Sequence, residues 1–408
     1  MGPVRTSALL DRVQRETLRY FTDFAHPACG MARERSGTPD MMDTVTTGGT
    51  GFGVMAMIAG AARGFIARGE AAERIALICG FLERLPRYRG AFAHWINGNS
   101  GETVAFSARD DGGDIVETAF LMMGLLTARE YVKSSEPALA QRIDALWHAV
   151  DWAGYCPTPN AMMWHWSPRH DFALALQLRG WHEALVAFVL GAGSPTHPID
   201  VSTYQEGWKN SPSFRNGRVY HRIRLPLGPE LGGPLFFAHY SFMGLDPRGL
   251  CEGGIDYFAQ NRAQARINRT HCIANPGGFA GYGAAWGLTS CDGPTGYEAF
   301  SPSHDRGVIA PTAALASMPY LPDASLAALR HFDDYEGGAL WGPHGFFDAF
   351  SQQAGWIAPS HLAINQGPIV AMIENHRSGL LWRLFMSAPE VQTGLSRLGF
   401  TCSSGNVA

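Results

Sequence analysis

The sequence predicts an all-α fold, drawn as an (α/α)6 barrel with short β-hairpins and loops at the rim. Three observations predict it. Apolar residues recur at helical rather than alternating spacing along most of the chain. About a dozen such segments fall within 408 residues, a number that six outer and six inner helices would absorb in hairpin pairs. No Pro/Gly/Ser linker or charge run divides them, so residues 1–408 read as one domain with one shared core. The periodicity alone fits a helical bundle as well as a closed barrel.

In chain order, residues 7–24 place Leu9, Leu10, Val13, Leu18 and Phe21 at helical spacing between charged positions. Residues 51–67 form an apolar, small-residue helix entered through Thr46-Thr47-Gly48-Gly49. Helices at 71–85, 114–131, 136–154 and about 178–191 follow, then 233–244, 253–270, 310–318 and 323–332. The chain closes with 368–376, 379–386 and 388–398. Between them lie aromatic, Gly-rich pieces such as Gly90-Ala91-Phe92-Ala93-His94-Trp95, which suit small hairpins or loops.

Composition narrows the function. Hydrophobic residues make up 46% and charged residues 17%, which fits a chain that buries a large core. A net charge of -4 without a basic run argues against nucleic acid as a partner. The seven cysteines (29, 79, 156, 251, 272, 291 and 402) are odd in number and lack C-x-x-C spacing, so they read as mostly free, buried thiols. No run of 18 apolar residues suggests a membrane span, and no apolar leader precedes the amphipathic segment that begins by Ala8. As written the chain reads as cytoplasmic, or periplasmic where an export signal has been trimmed.

The chemistry concentrates in Asp110-Asp111-Gly112-Gly113-Asp114-Ile115-Val116-Glu117. If this stretch is helical, Asp110, Asp114 and Glu117 fall at i, i+4 and i+7 and share one face. Crowded acids at the mouth of an apolar helix suit a site that keeps a carboxylic acid protonated. The structural alternative is a capping box from Asp114 to Glu117, with Gly112-Gly113 as the turn before the helix. Capping leaves Asp110 and Asp111 without a reason. A second acid, Glu183, stands in an otherwise apolar helix, either reactive or paired with Arg179. Trp164, His165 and Trp166 lie in a non-periodic segment, and flat rings flanking polar groups suit a sugar as well as they suit a core. Asp292, Asp348 and Trp356 belong to Gly- and aromatic-rich loops of the kind that line grooves.

Other motifs fail on their surroundings. Gly51-x-Gly53-x-x-Ala56 has no preceding strand, so close helix packing explains its glycines better than a dinucleotide. His182-Glu183 lacks the second His of a zinc protease, because Val186 occupies that place. Asp110-Asp111-x-x-Asp114 has the spacing of a diphosphate-Mg²⁺ site, but two glycines interrupt it and Trp382 stands where the companion motif after Asn375 and Ser378 needs Glu. No metal or cofactor is expected.

The phrases GGDIVETAFLMMGLL, WHWSP, GSPTHPI, GPLFFAHYSFMGLDP, PTAALASMPY, GFFDAF and NQGPIVAMIENHRSGLLW resemble the bacterial glycoamylase-like proteins, a group with endo-β-1,2-glucanases and the related domain of cyclic β-1,2-glucan synthases. The resemblance runs from about Leu10 to Phe400. It implies an (α/α)6 barrel and metal-free hydrolysis of a β-linked glucan, most simply β-1,2-glucan or its oligosaccharides. Carried over, the acid set falls on Asp110, Asp114 and Glu117, and the general acid on Glu183. Sugar-binding roles fall on Trp164, His165, Trp166, Phe346 and Trp356, with Tyr240, Asp292, Asp348 and Asn365 as further substrate contacts. One departure stands out. The family phrase I-D-Q-G-P reads Ile364-Asn365-Gln366-Gly367-Pro368 here, and an amide cannot act as a base. That leaves room for a retaining transglycosylase, an exo-acting enzyme or a non-catalytic glucan-binding protein.

Overall fold

The computed structural model describes residues 3–402. Among them are twelve α-helices: α1 (Pro3–Thr22), α2 (Thr47–Ala62), α3 (Arg68–Leu82), α4 (Ile115–Val132), α5 (Pro137–His148), α6 (Leu185–Gly193), α7 (Tyr257–Ala274), α8 (Pro311–Leu315), α9 (Pro322–Asp334), α10 (Ala363–Ser378), α11 (Leu380–Met386) and α12 (Pro389–Arg397). Strands are two to four residues long and occur as small antiparallel pairs or three-stranded ribbons in the connections. The fold is therefore all-α in its framework.

Helices α6, α4, α2, α10 and α8 form a row in which each packs on the next, and α1, α3, α5, α9, α11 and α12 cover that row from outside. Helices α6, α4 and α2 are buried on all sides. Every residue of α6 is buried, as are nearly all of α2 and α4, which is why these helices lack an amphipathic stripe. One apolar cluster reaches from Leu10 to Phe400. Six cysteines, among them the buried Cys29, Cys79, Cys272 and Cys291, are free thiols, and the side chain of Cys402 lies outside the described residues.

Several boundaries differ from the sequence expectation for local reasons. Helix α6 starts at Leu185 rather than near 178, because Gly180 takes a left-handed φ of 80° and the chain turns there. Residues 233–244 are two short 3-10 turns, Leu235–Ala238 and Ser241–Met243, rather than one helix; Gly233 at φ 70° and the turn-forming Pro234 precede them. Helix α10 begins at Ala363 rather than at 368 and carries Pro368 inside it.

The glycines of α2 have a packing role, as the sequence suggested. Gly51 meets α4 so closely that a Cβ there would lie 2.2 Å from the Phe120 carbonyl oxygen, and a Cβ on Gly124 would lie 2.2 Å from the Gly51 carbonyl oxygen. Two helix backbones touch with nothing between them, so there is no flexible side chain to yield. Gly51→Ala should lower the unfolding free energy by about 3 kcal/mol, read as a lower midpoint in urea, by overpacking this crossing.

Candidate active site

The strand Gly113–Asp114 pairs antiparallel with His165–Trp166, which sets Asp114 opposite His165 at the entrance to α4. Asp114 is the N-cap of α4. Its Oδ1 accepts from the backbone N–H of Val116 at 2.9 Å and of Glu117 at 2.8 Å. Its Oδ2 accepts from Trp164 Nε1 at 3.0 Å and lies 3.2 Å from His94 Nδ1. Both oxygens of this buried carboxylate are thus engaged. Glu117 does not complete a capping box. Instead its Oε2 accepts from the backbone N–H of Gly48, at the start of α2, at 2.7 Å. A side chain at Gly48 would collide with that carboxylate at 2.4 Å. Glu117 Oε1 lies 4.0 Å from His94 Nε2, so His94 stands between two acids.

These contacts set the charges. Burial first, and then the charges of Asp114 and Glu183, raise the Glu117 carboxyl to about 7 against the opposing pull of His94. Burial alone would discharge His94, but the carboxylates of Glu117 and Asp114 outweigh it and hold the imidazolium up to about 9. Asp110 is raised as well, by burial first and by Asp114 second.

Glu183 sits two residues ahead of the first residue of α6. Ser241 fixes it there: the hydroxyl donates to the Glu183 carbonyl, and its oxygen accepts from the backbone N–H of Val186 at 3.0 Å. The Glu183 carboxylate lies 3.5 Å from His182 Nδ1, and the His182 ring stacks on Trp164 with 5.9 Å between centroids. Glu117, Glu183, His94 and Trp164 line one cavity of about 320 Å³. The same cavity is lined by the polar pair Glu34 and Arg35 and by Trp95, Phe106, Phe120, Phe236, Tyr240 and Tyr297. Aromatic walls around a few convergent acids make a small-ligand site.

A second acid group lies behind Tyr240. The Tyr240 hydroxyl donates to Asn365 Oδ1 at 3.4 Å, and Asn365 Nδ2 donates to Asp348 Oδ1 at 2.8 Å and to the Ser290 carbonyl at 3.0 Å. Asp348 Oδ2 accepts from the backbone N–H of Asp292 at 2.7 Å. Burial and the nearby Asp292 charge raise Asp348 to about 7. Asp292 in turn receives Arg35 at 3.0 Å and the Ser360 hydroxyl. Among the described residues, no three His, Cys, Asp or Glu side chains are grouped to hold a metal ion, and no helix is long and apolar enough to cross a membrane.

The family model Glycoamylase, described as "Putative glucoamylase", matches residues 175–389, just over half of the chain. The chain belongs to the glycoamylase family. A model of a family of unknown function (DUF3131) matches residues 12–154. An exo β-1,2-glucooligosaccharide sophorohydrolase (non-reducing end) of Parabacteroides distasonis is 41% identical over 97% of the chain, and the chain spans 58% of that curated relative's length. A solved "putative glucoamylase" from Bacteroides uniformis is 51% identical with a TM-score of 0.95, covering 97% of this chain and 98% of that one. An endo-β-1,2-glucanase from Chitinophaga pinensis, in complex with sophorotriose and glucose, is 44% identical with a TM-score of 0.95 and the same coverage.

Set against the sequence expectations, this glycoamylase-family chain brings Glu117, Glu183, Trp164 and Tyr240 to the cavity. Asp110, Asp114 and Glu117 do not share a helix face, because α4 begins only at Ile115; Asp110 lies in the turn before it, 3.2 Å from His165 Nε2. Glu183 is not paired with Arg179, which donates to the Asn210 carbonyl. His165 is buried and accepts from the backbone N–H of Gly112. Trp166 lies under the Arg89 guanidinium, 5.0 Å from its centroid, rather than at the cavity. Phe346 is fully buried, 4.1 Å from the Trp341 ring, and Trp356 packs on the small cluster of Cys291, Phe300 and Ala349. Asp292 and Asn365 stand one contact behind the lining, and Asp348, bonded to both, stands behind them. Sequence reasoning missed His94, Trp95, Glu34, Arg35, Phe106, Phe236 and Tyr297. Only His94 and Trp95 had a signal, in an aromatic, Gly-rich connection.

A raised pKa on a buried acid carries a stability cost. Ionising Glu117 is harder in the folded chain (about 7) than in the unfolded one (4.5), so its proton stabilises the fold below pH 4.5 and that contribution disappears as pH rises through 7. Glu117→Gln should therefore gain urea resistance relative to wild type between pH 4.5 and 7, with little difference at lower pH.

Proposed function

We propose that this chain is a glycoside hydrolase that cleaves β-1,2-glucan or its oligosaccharides, within a single (α/α)6-barrel domain of which the row α6–α4–α2–α10–α8 is the inner wall. The observation that carries the reading is that Glu117 and Glu183, from separate stretches of the chain, face one aromatic-lined cavity. The P. distasonis relative is named for hydrolysis of β-1,2-gluco-oligosaccharides and the C. pinensis relative for β-1,2-glucan cleavage, and both align over nearly all of this chain. The chain spans 58% of the P. distasonis protein's length. Its activity is therefore tested on this chain itself.

In this mechanism Glu183 protonates the leaving glycosidic oxygen. Its carboxyl reaches the cavity while its backbone is clamped by Ser241, which fixes the direction of proton delivery. Glu117 is the second carboxyl, acting on the attacking water or on the positive charge that develops at the sugar carbon. His94 supplies a compensating positive charge between Glu117 and Asp114, and Asp114 holds His94 and Trp164 in place. Asn365 takes no proton; it ties Asp348 to Tyr240 at the wall. Whether the sugar product keeps or inverts its anomeric configuration is read directly by polarimetry, and the product ladder separates release of one short sugar from random cleavage.

Glu183→Gln should lower kcat by about a hundredfold or more while oligosaccharide binding persists, measured by chromatography of β-1,2-glucan digests and by calorimetry. A fully active Glu183→Gln enzyme removes the assignment. Unchanged glucan in a wild-type digest removes the hydrolase reading and favours a glucan-binding protein.

A further inference from the structure

Two aromatic rings that line the cavity are left half uncovered by the fold. Phe106 and Tyr297 are each 49% exposed, whereas Phe120 and Tyr240 in the same wall are 2% and 6% exposed. Other large apolar side chains this open among the described residues, such as Leu77, Leu176 and Ile273, do not line the cavity. Exposed apolar rings confined to the edge of a ligand cavity call for an occupant that removes them from water.

Both rings are held rather than loose. The Phe106 ring stacks on His94, with 4.5 Å between centroids and 24° between planes, and leans on Trp95 at 4.7 Å. Its backbone N–H donates to the Asp110 carbonyl at 2.9 Å, so the ring rides on the turn that carries Asp110. One face of the ring is taken and about half of its surface stays open. Tyr297 stands on the hairpin formed by Ser290–Gly293 and Gly296–Ala299, directly across from Asp292. Asp292 is tied to Arg35, itself a cavity residue, so that hairpin is fixed to the opposite segment of the chain. The rings therefore come from two independent supports.

We propose that Phe106 and Tyr297 are stacking platforms for two pyranose rings of one β-linked glucan chain, Phe106 beside the His94–Glu117 wall and Tyr297 beside the Glu34–Arg35 wall. The proposal rests on the glucan-hydrolase reading above and adds where the chain is gripped. A pyranose presents a face of axial C–H groups that covers an aromatic ring without demanding a hydrogen bond from it. The acids and His94 deal with the hydroxyls and the scissile oxygen, and the platforms supply area. A short oligosaccharide reaches one platform and a longer one reaches both.

The test uses the whole chain with β-1,2-linked gluco-oligosaccharides of increasing length. Steady-state kinetics are measured for wild type, Phe106→Ala, Phe106→Leu, Phe106→Trp and Tyr297→Ala. Equilibrium binding of the same sugars is measured by calorimetry in the Glu183→Gln background. Each Ala variant should raise KM and the dissociation constant about tenfold for the longer sugars, the loss of a half-covered ring, and less for the shortest one bound. Phe106→Trp should restore affinity and Phe106→Leu should not, because a flat face rather than apolar bulk is required. Leu serving as well as Phe overturns the proposal. So does a loss equal at every length together with a lowered melting temperature, which marks a support for His94. Cleavage by wild type with unchanged KM in the Ala variants removes the platforms and leaves the hydrolase. Binding that depends on the rings without any cleavage removes the hydrolase and leaves the platforms. No binding of any of these sugars removes both.

Discussion

The bond from the Gly48 backbone N–H to Glu117 is the constraint on which the site depends. It exists only because α2 and α4 approach with glycine on both sides, Gly51 on one and Gly124 on the other. A buried carboxyl in an apolar wall is costly unless something hydrogen-bonds it. Here a helix-start N–H, an unsatisfied donor in any helix, provides that bond. Packing and chemistry are thus one problem: the crossing that closes the core also seats the acid.

Around that acid the charges are balanced locally. Asp114 caps its helix with one oxygen and holds Trp164 and His94 with the other. His94 answers with a positive charge between Asp114 and Glu117. Glu183 arrives from a different connection, held through its main chain by Ser241. None of the three acidic positions is set by a helix face. Each is set at a helix start or just ahead of one, where the backbone leaves the regular ladder and a side chain can point into a cavity.

Much of the framework was legible in the sequence, because helices that are buried or amphipathic announce themselves by spacing. Helices α3, α4, α7, α9 and α12 lie close to where periodicity put them. Boundaries failed where Gly180 overruled the pattern before α6, and at α10, which starts at Ala363 and runs through Pro368. Glu117 and Glu183 were legible as acids out of place in apolar surroundings. Phe106, Tyr297, Glu34 and Arg35 were not, since ordinary residues in loops become a wall only when distant segments meet. Phe346 and Trp356 failed in the opposite direction: an aromatic in a Gly-rich loop looks the same whether it faces a ligand or fills a small core.

Asn365 offers a last point. Its amide gives one hydrogen to Asp348 and another to the Ser290 carbonyl, so it is an orienting clamp with no spare donor. An acid at that place would face a second carboxyl across 2.8 Å, and two such groups settle by sharing a single proton. One exchange of nitrogen for oxygen at position 365 thus separates a rigid brace from a proton-sharing dyad.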